Sequence, residues 1–141
     1  MPTFSGRVSP GERLRRLSPN ECRAWLYSHH EGRLGYQSGR GHRCVVVSYA
    51  VTGDQILVRL PDYNDIVRYA PGAEVSLDVE GGTSAAHRET VIVTGMAELA
   101  ESAHRPLIDQ TAFVENWPPD VPTSIICLPL NAMEGFELRN P

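Results

Sequence analysis

Residues 31–60 read EGRLGYQSGRGHRCVVVSYAVTGDQILVRL, and the spacing of apolar residues and glycines in them decides the architecture. Arg33 to Gln37 leads through Ser38, Gly39, Arg40 and Gly41, a hairpin-type turn, into the run Cys44 to Val51. There Val45, Val46, Val47 and Tyr49 favour a pleated backbone. Thr52, Gly53 and Asp54 mark a second turn before Gln55 to Leu60. Three strands joined by short turns predict an antiparallel meander. The Gly39 and Gly41 spacing is no dinucleotide fingerprint, because a third glycine is missing and a strand, not a helix, follows.

Upstream, Ser18, Pro19 and Glu21 predict a helix start: the serine caps, the proline takes the first helical position and Glu21 closes a capping box. Cys22, Trp25 and Leu26 share one face, Leu17 packs back on Cys22, and the helix is expected to run to about His29 or His30. These two adjacent histidines project about 100° apart and do not chelate one ion together. Residues 1–16 are expected as a flexible arm, basic through Arg7, Arg13, Arg15 and Arg16 against Glu12 alone.

Downstream, Ile66, Val67 and Tyr69 suit a short helix within Asp62 to Ala70, and Ala73 to Val79 alternates as a half-buried strand. Gly81 to His87 is expected as a mobile loop, Thr90 to Leu99 as a fifth strand and Glu101 to Phe113 as a helix. Asn116 to Pro122 is irregular, with Trp117 as an interface anchor or a cover for a ligand slot. Thr123 to Leu130 supplies a sixth strand, and Gly135 to Leu138 a short terminal one. Six strands with helices at the edges fit a small closed barrel, since closure removes exposed strand edges.

The 141 residues, 41% of them apolar, suffice for one core and are too few for two ordinary domains, so residues 17–141 are expected as a single domain. A net charge of −4 argues against nonspecific nucleic-acid binding. No apolar run approaches the roughly 18 residues of a membrane span, and the first residues lack a signal-peptide core, so a soluble cytoplasmic protein is expected. Cys22, Cys44 and Cys127 lack any paired spacing that suggests zinc or a disulfide framework; reduced, mostly buried thiols and no metal follow. His29, His42, His87 and His104 all suit surface positions, and none stands out as a haem ligand.

The wording of residues 31–60, of ETVIVTGMAEL at 89–99, of LSPNECRAWL at 17–26 and of GAEVSLDVEG at 72–81 resembles the flavin-binding split-barrel family related to pyridoxamine 5'-phosphate oxidase. The resemblance implies a mainly β fold, a six-stranded antiparallel split β-barrel of Greek-key type with a few peripheral helices, working as a homodimer. It further implies an FMN-dependent oxidoreductase in which the cofactor performs electron or hydride transfer and the protein positions it. Family members anchor the FMN phosphate near the end of the third strand, here Arg59 flanked by Val58 and Leu60, with Ser48 and Tyr49 along the ring. Where the family has a lysine at the start of the short helix, this chain has Asp65, with Arg68, Arg43 or an arginine from the N-terminal arm to compensate. Where it often has a tryptophan before the fifth strand, this chain has Glu89, and Val46 and Ser48 replace a proline and an asparagine. Two alternatives stay open: a deazaflavin held by Arg40, Arg43, Arg59 and Arg68, and a dimeric binding protein without cofactor.

Overall fold

A computed structural model describes residues 13–62, 64–84, 87–100 and 120–139, without the side chains of residues 83 and 84. The helix expected over Glu101 to Phe113 and the role expected of Trp117 fall outside the described residues.

In chain order the elements are β1 Arg13–Arg16, α1 Pro19–Ser28, β2 Glu31–Ser38, β3 Gly41–Thr52, β4 Gln55–Pro61 and α2 Asp65–Tyr69. β5 Glu74–Ser84, β6 His87–Met96, β7 Glu98–Leu99, β8 Thr123–Pro129 and β9 Met133–Arg139 complete them. All ladders are antiparallel, in the order β1-β9-β6-β5-β2-β3-β4-β8-β7. A single residue, the buried Ala97, separates β6 from β7, and its N–H donates to Ala73 O at 2.9 Å. Because β6 pairs with β5 while β7 pairs with β8, this passage joins the two ends of the run β5-β2-β3-β4-β8. Six strand positions thus close into a barrel. The split lies along the same passage, whose outer edge is taken by β9 at residues 87–93 and by β8 at residues 98 and 99.

The inward rows fill the barrel with Leu34 and Tyr36, Val47 and Tyr49, Val58 and Leu60, Leu77 and Val79, Val91 and Val93, and Ile126 and Leu128, each under 5% exposed. β-Branched and leucine side chains on alternate positions are what a small barrel interior requires. α1 closes the end where β2 begins: Tyr49 N–H donates to His30 O, and the buried Tyr49 hydroxyl donates to Leu26 O at 2.8 Å. α2 lies at the other end of β2, where Tyr36 reaches Asp65. Burial pushes the Tyr49 phenol far up, so it stays a donor at every accessible pH. Tyr49→Phe leaves the Leu26 carbonyl with only a long 3.4 Å bond from His29 N–H. A loss of about 1 kcal/mol is expected in urea unfolding.

The capping box forms as expected: Glu21 N–H donates to Ser18 Oγ at 3.2 Å and Ser18 N–H to Glu21 Oε1 at 3.0 Å. Arg15 adds a two-pronged contact to the same carboxylate, at 3.1 and 2.9 Å. With the Arg15 bond first and the capping bonds next, the Glu21 pKa falls to about 2. A depressed carboxylate pKa contributes stability above the ordinary carboxylate value, and that contribution is lost as pH falls toward the folded pKa. NMR titration of the Glu21 carboxyl is expected to show a midpoint near 2, moving up toward the ordinary range in Arg15→Ala. A midpoint unchanged by that substitution refutes the pairing.

Three expectations are corrected. Residues Arg13–Arg16, taken as the end of a flexible arm, form β1, which pairs with β9 from Arg13↔Arg139 to Arg16↔Phe136. Their alternation is invisible because three of the four are arginines. Of Gly81 to His87, taken as a mobile loop, the described residues 81–84 and 87 form the end of a strand pair: Gly81↔Glu89 and Gly82↔Arg88 continue the ladder, and a bulge precedes Ser84↔His87. The glycines there serve close approach rather than mobility, for a Cβ on Gly82 collides with the carbonyl oxygen of His87. Of the thiols expected to be buried, Cys22 and Cys127 are, while Cys44 is exposed. No described helix is long and apolar enough to cross a membrane.

Candidate functional site

Among the described residues, two recesses and one polar cluster bring charged side chains of the barrel together. The first recess, a cleft of about 260 Å³, lies where the β2–β3 turn meets α2 and is lined by Ser38, Gly39, Arg40, Arg43, Asp65, Arg68 and Tyr69. Local chemistry shapes it. Ser38 Oγ accepts from Arg40 N–H at 3.1 Å and donates to Gly41 O at 2.8 Å, and Gly41 takes a φ of 113°, where a side chain would be strained. The turn is thereby held with Arg40 at its tip. A Cβ on Gly39 would stand 2.8 Å from the Tyr69 hydroxyl, so glycine there lets α2 approach.

Asp65 does not stand unopposed in this cleft. Arg43 Nη1 donates to its Oδ2 at 3.3 Å, as does the Tyr36 hydroxyl, also at 3.3 Å. The compensation expected of Arg43 is therefore made within the chain. Tyr36 is 4% exposed, and burial first, then the Asp65 carboxylate, raises its pKa. Arg68 stacks over Tyr69, its guanidinium carbon 5.3 Å from the ring centre. Three guanidinium groups against one carboxylate leave the cleft with an excess of two positive charges.

The second recess lies outside the barrel and is lined by Glu31, Gly32, Arg33, Val46, Asp78 and Glu80. It is acidic, three carboxylates against one guanidinium, and Val46 is 57% exposed within it. Asp78 is held above the ordinary carboxylate range, chiefly by burial, while the Thr90 hydroxyl donating at 2.8 Å opposes the shift. Ser48, the cross-strand partner of Glu31, is on this outer side.

The residues singled out in the sequence therefore separate. Asp65 and Arg68 share the arginine cleft with Arg40 and Arg43, but Arg59 does not line it. Arg59 is half-buried on β4, opposite Ile125, and its Nε donates to Thr123 Oγ1 at 3.0 Å. Tyr49, Val58 and Leu60, expected along a cofactor, are each 1% exposed and turn into the core, so their side chains face no recess. Alternation explains this: in a strand whose Val58 and Leu60 point inward, only Arg59 between them turns out. Glu89 sits elsewhere again, its carboxylate 3.1 Å from His87 Nε2 on the α1 side of β6. The ladder places Glu89 opposite Gly81, five residues along β5 from the Ser76 that pairs with Gly35, or about 17 Å at about 3.3 Å per residue. Sequence reading missed the convergence of Arg40, Arg43 and Arg68 as a separate site from Arg59; the only signal for it was their recurrence around one glycine turn and one short helix.

A six-stranded split barrel carrying an arginine-lined cleft beside a short helix is the class of protein these observations define. The family model for pyridoxamine 5'-phosphate oxidase matches residues 18–136, and this chain belongs to that family. No curated protein matches it. Among solved structures it is similar to the FAD binding protein from Mycobacterium smegmatis, with 19% identity and a TM-score of 0.75 over 88% of this chain and 98% of that one. It is also similar to an FAD-binding protein from Mesorhizobium loti, with 17% identity and a TM-score of 0.74 over 92% of this chain and 100% of the other. A third is the FAD and heme binding protein from Mycobacterium smegmatis, at 10% identity and TM-score 0.67, over 89% of this chain and 72% of that one. At these identities the likeness is one of fold.

Proposed function

We propose that this chain is a flavin-nucleotide-binding oxidoreductase acting as a homodimer, with the phosphate of the cofactor held by Arg40, Arg43 and Arg68. The observation that carries the reading is the arginine cleft itself. Of the two recesses it alone attracts an anion, since the outer one has an excess of two negative charges and this one an excess of two positive. Guanidinium groups are the planar donors that phosphate oxygens favour. The residues present thus fit the phosphate portion of a flavin nucleotide.

FMN and FAD both satisfy that charge balance. All three of these structural relatives are named as FAD-binding, one of them as binding heme too, which widens the expectation from FMN to either form. When bound, the flavin supplies the electron or hydride transfer. The chain's own contribution is the guanidinium anchor. Asp65, already engaged by Arg43 and Tyr36, limits the attraction and keeps Arg43 oriented over the cleft. Among the described residues Tyr69 is the one aromatic side chain lining the arginine cleft, so a second copy of the chain is what supplies the apolar cover a flavin ring requires.

The test is the visible absorption spectrum of the protein purified without added cofactor, repeated after FMN, FAD and a deazaflavin are added and unbound cofactor is removed by gel filtration. Retained flavin absorption supports the reading, and Asp65→Asn is then expected to tighten binding by about tenfold, since one opposing charge at the surface is worth about 1–4 kcal/mol. A protein that retains none of the three overturns it. Retention of the deazaflavin alone selects the second reading, which the grouping of three arginines in one cleft favours because the deazaflavin tail is long and acidic.

A further inference from the structure

Beyond Val91 the inward row of β6 continues with Glu89 and His87, two positions apart and therefore on one side of the strand. The ladders set a row across four strands at this level: Arg15 of β1 opposite Glu137 of β9, Glu137 opposite Glu89 of β6, and Glu89 opposite Gly81 of β5. Two carboxylates directly opposed across an antiparallel pair repel each other. His87 comes between them, its Nε2 3.1 Å from Glu89 Oε1 and 3.2 Å from Glu137 Oε2. A ring nitrogen carries at most one proton, so it donates fully to one of these carboxylates and not to both. The three atoms lie within 4.8 Å of one another.

We propose that His87 Nε2, Glu89 Oε1 and Glu137 Oε2 bind one divalent transition-metal ion of the zinc class, with water completing the coordination. Ions of this class bind nitrogen and carboxylate oxygen at about 2.0–2.2 Å, which sets neighbouring ligand atoms about 3.0–3.4 Å apart, the spacing seen from the imidazole to each carboxylate. One nitrogen and two oxygens suit zinc, manganese or iron rather than calcium or magnesium, which take oxygen ligands alone. Side-chain exposures of 25% for His87, 17% for Glu89 and 11% for Glu137 leave the site shielded and yet reachable from one side.

The surroundings agree with this use. Arg15 Nε donates to Glu137 Oε1 at 3.4 Å, the oxygen not facing His87, and so turns Oε2 toward the imidazole as an outer partner of a metal ligand does. Arg139 Nη2 is 3.5 Å from Oε2, but its side chain is 61% exposed and swings into water at little cost. Across the row, His29 Nδ1 lies 2.8 Å from Trp25 O, and only an N–H makes that contact. The neutral ring then carries its lone pair on Nε2, 3.2 Å from where a Gly81 Cβ would stand, which places a second nitrogen donor beside the same row. None of this rests on the flavin reading, whose cleft lies at the other end of β2.

The test uses the full chain after chelator treatment. Zinc is titrated in competition with a chromophoric chelator, and thermal melting is followed with and without one equivalent of zinc. One equivalent is expected to bind and to raise the melting temperature, because the ion bridges β6 and β9. His87→Ala and Glu137→Gln are each expected to weaken binding at least tenfold. Glu89→Gln, close in size and still bearing an oxygen, repeats the test if the alanine variant does not fold. His42 and the exposed Cys44, whose Nε2 and Sγ lie 3.6 Å apart, form the competing surface pair. Zinc binding that vanishes in Cys44→Ser and persists in His87→Ala overturns the proposal, as does the absence of stoichiometric binding.

Discussion

Arg68→Glu is expected to weaken flavin-nucleotide binding by about a hundredfold or more. Three guanidinium groups and one carboxylate line the cleft, so reversing one charge takes its excess from two positive to zero. Against a phosphate a few ångströms away, each unit of charge is worth about 1 kcal/mol in bulk water and about 4 kcal/mol at an effective dielectric of 20. Arg68 is exposed, which pulls the figure toward the lower end, and two units at about 1.5 kcal/mol each amount to about 3 kcal/mol, or two decades. The fold is expected to tolerate the change. Only the stacking on Tyr69 is lost, worth about 0.5–1 kcal/mol at such a site. Fluorescence titration of FMN and FAD at two salt concentrations measures both aspects, because an exposed ionic anchor weakens as the Debye length shortens. If Arg59→Ala abolishes binding and Arg68→Glu does not, the phosphate is held on β4, as the family resemblance implies, and the cleft has another use.

The second large effect concerns stability. Gly135→Ala is expected to cost about 2–3 kcal/mol in urea unfolding, an overpacking penalty at the seam between α1 and β9. A Cβ at this position would stand 2.6 Å from Cys22 Sγ and 3.0 Å from Leu17 Cδ1, and both residues are buried, at 1% and 7% exposure. Backbone movement is limited as well, for Leu17 N–H donates to Gly135 O at 2.8 Å. Cys22→Ala removes the obstructing sulfur. In that background the cost of Gly135→Ala is expected to fall by more than half, and a strictly additive double mutant rules out the contact as the cause.

Within the barrel, much was legible because strand periodicity and caps are local signals. Val75, Leu77 and Val79 face inward as their alternation requires, and Ser18, Pro19 and Glu21 start α1 where the capping box places its start. The wording of residues 17–99 also carried the family, whose model matches residues 18–136. Local signals failed in particular places. Arg13 to Arg16 reads as a polar tail because the apolar partner that makes it a strand edge lies on β9, and Gly81 to Ser84 reads as a loop because close strand approach and mobility call for the same residues. Arg59 drew attention through its position in a strand, although the charges that converge are Arg40, Arg43 and Arg68 on a turn, a strand start and a helix.

What the sequence by itself determined is the alternation that makes this chain a barrel, the helix that caps it and the family to which it belongs, all of which depend on neighbours within a few residues. Which polar side chains meet was decided by tertiary structure alone. His87 and Glu137 are 50 residues apart and touch only because β6 and β9 pair in one register, and a shift of one residue would turn every one of these side chains to the opposite face.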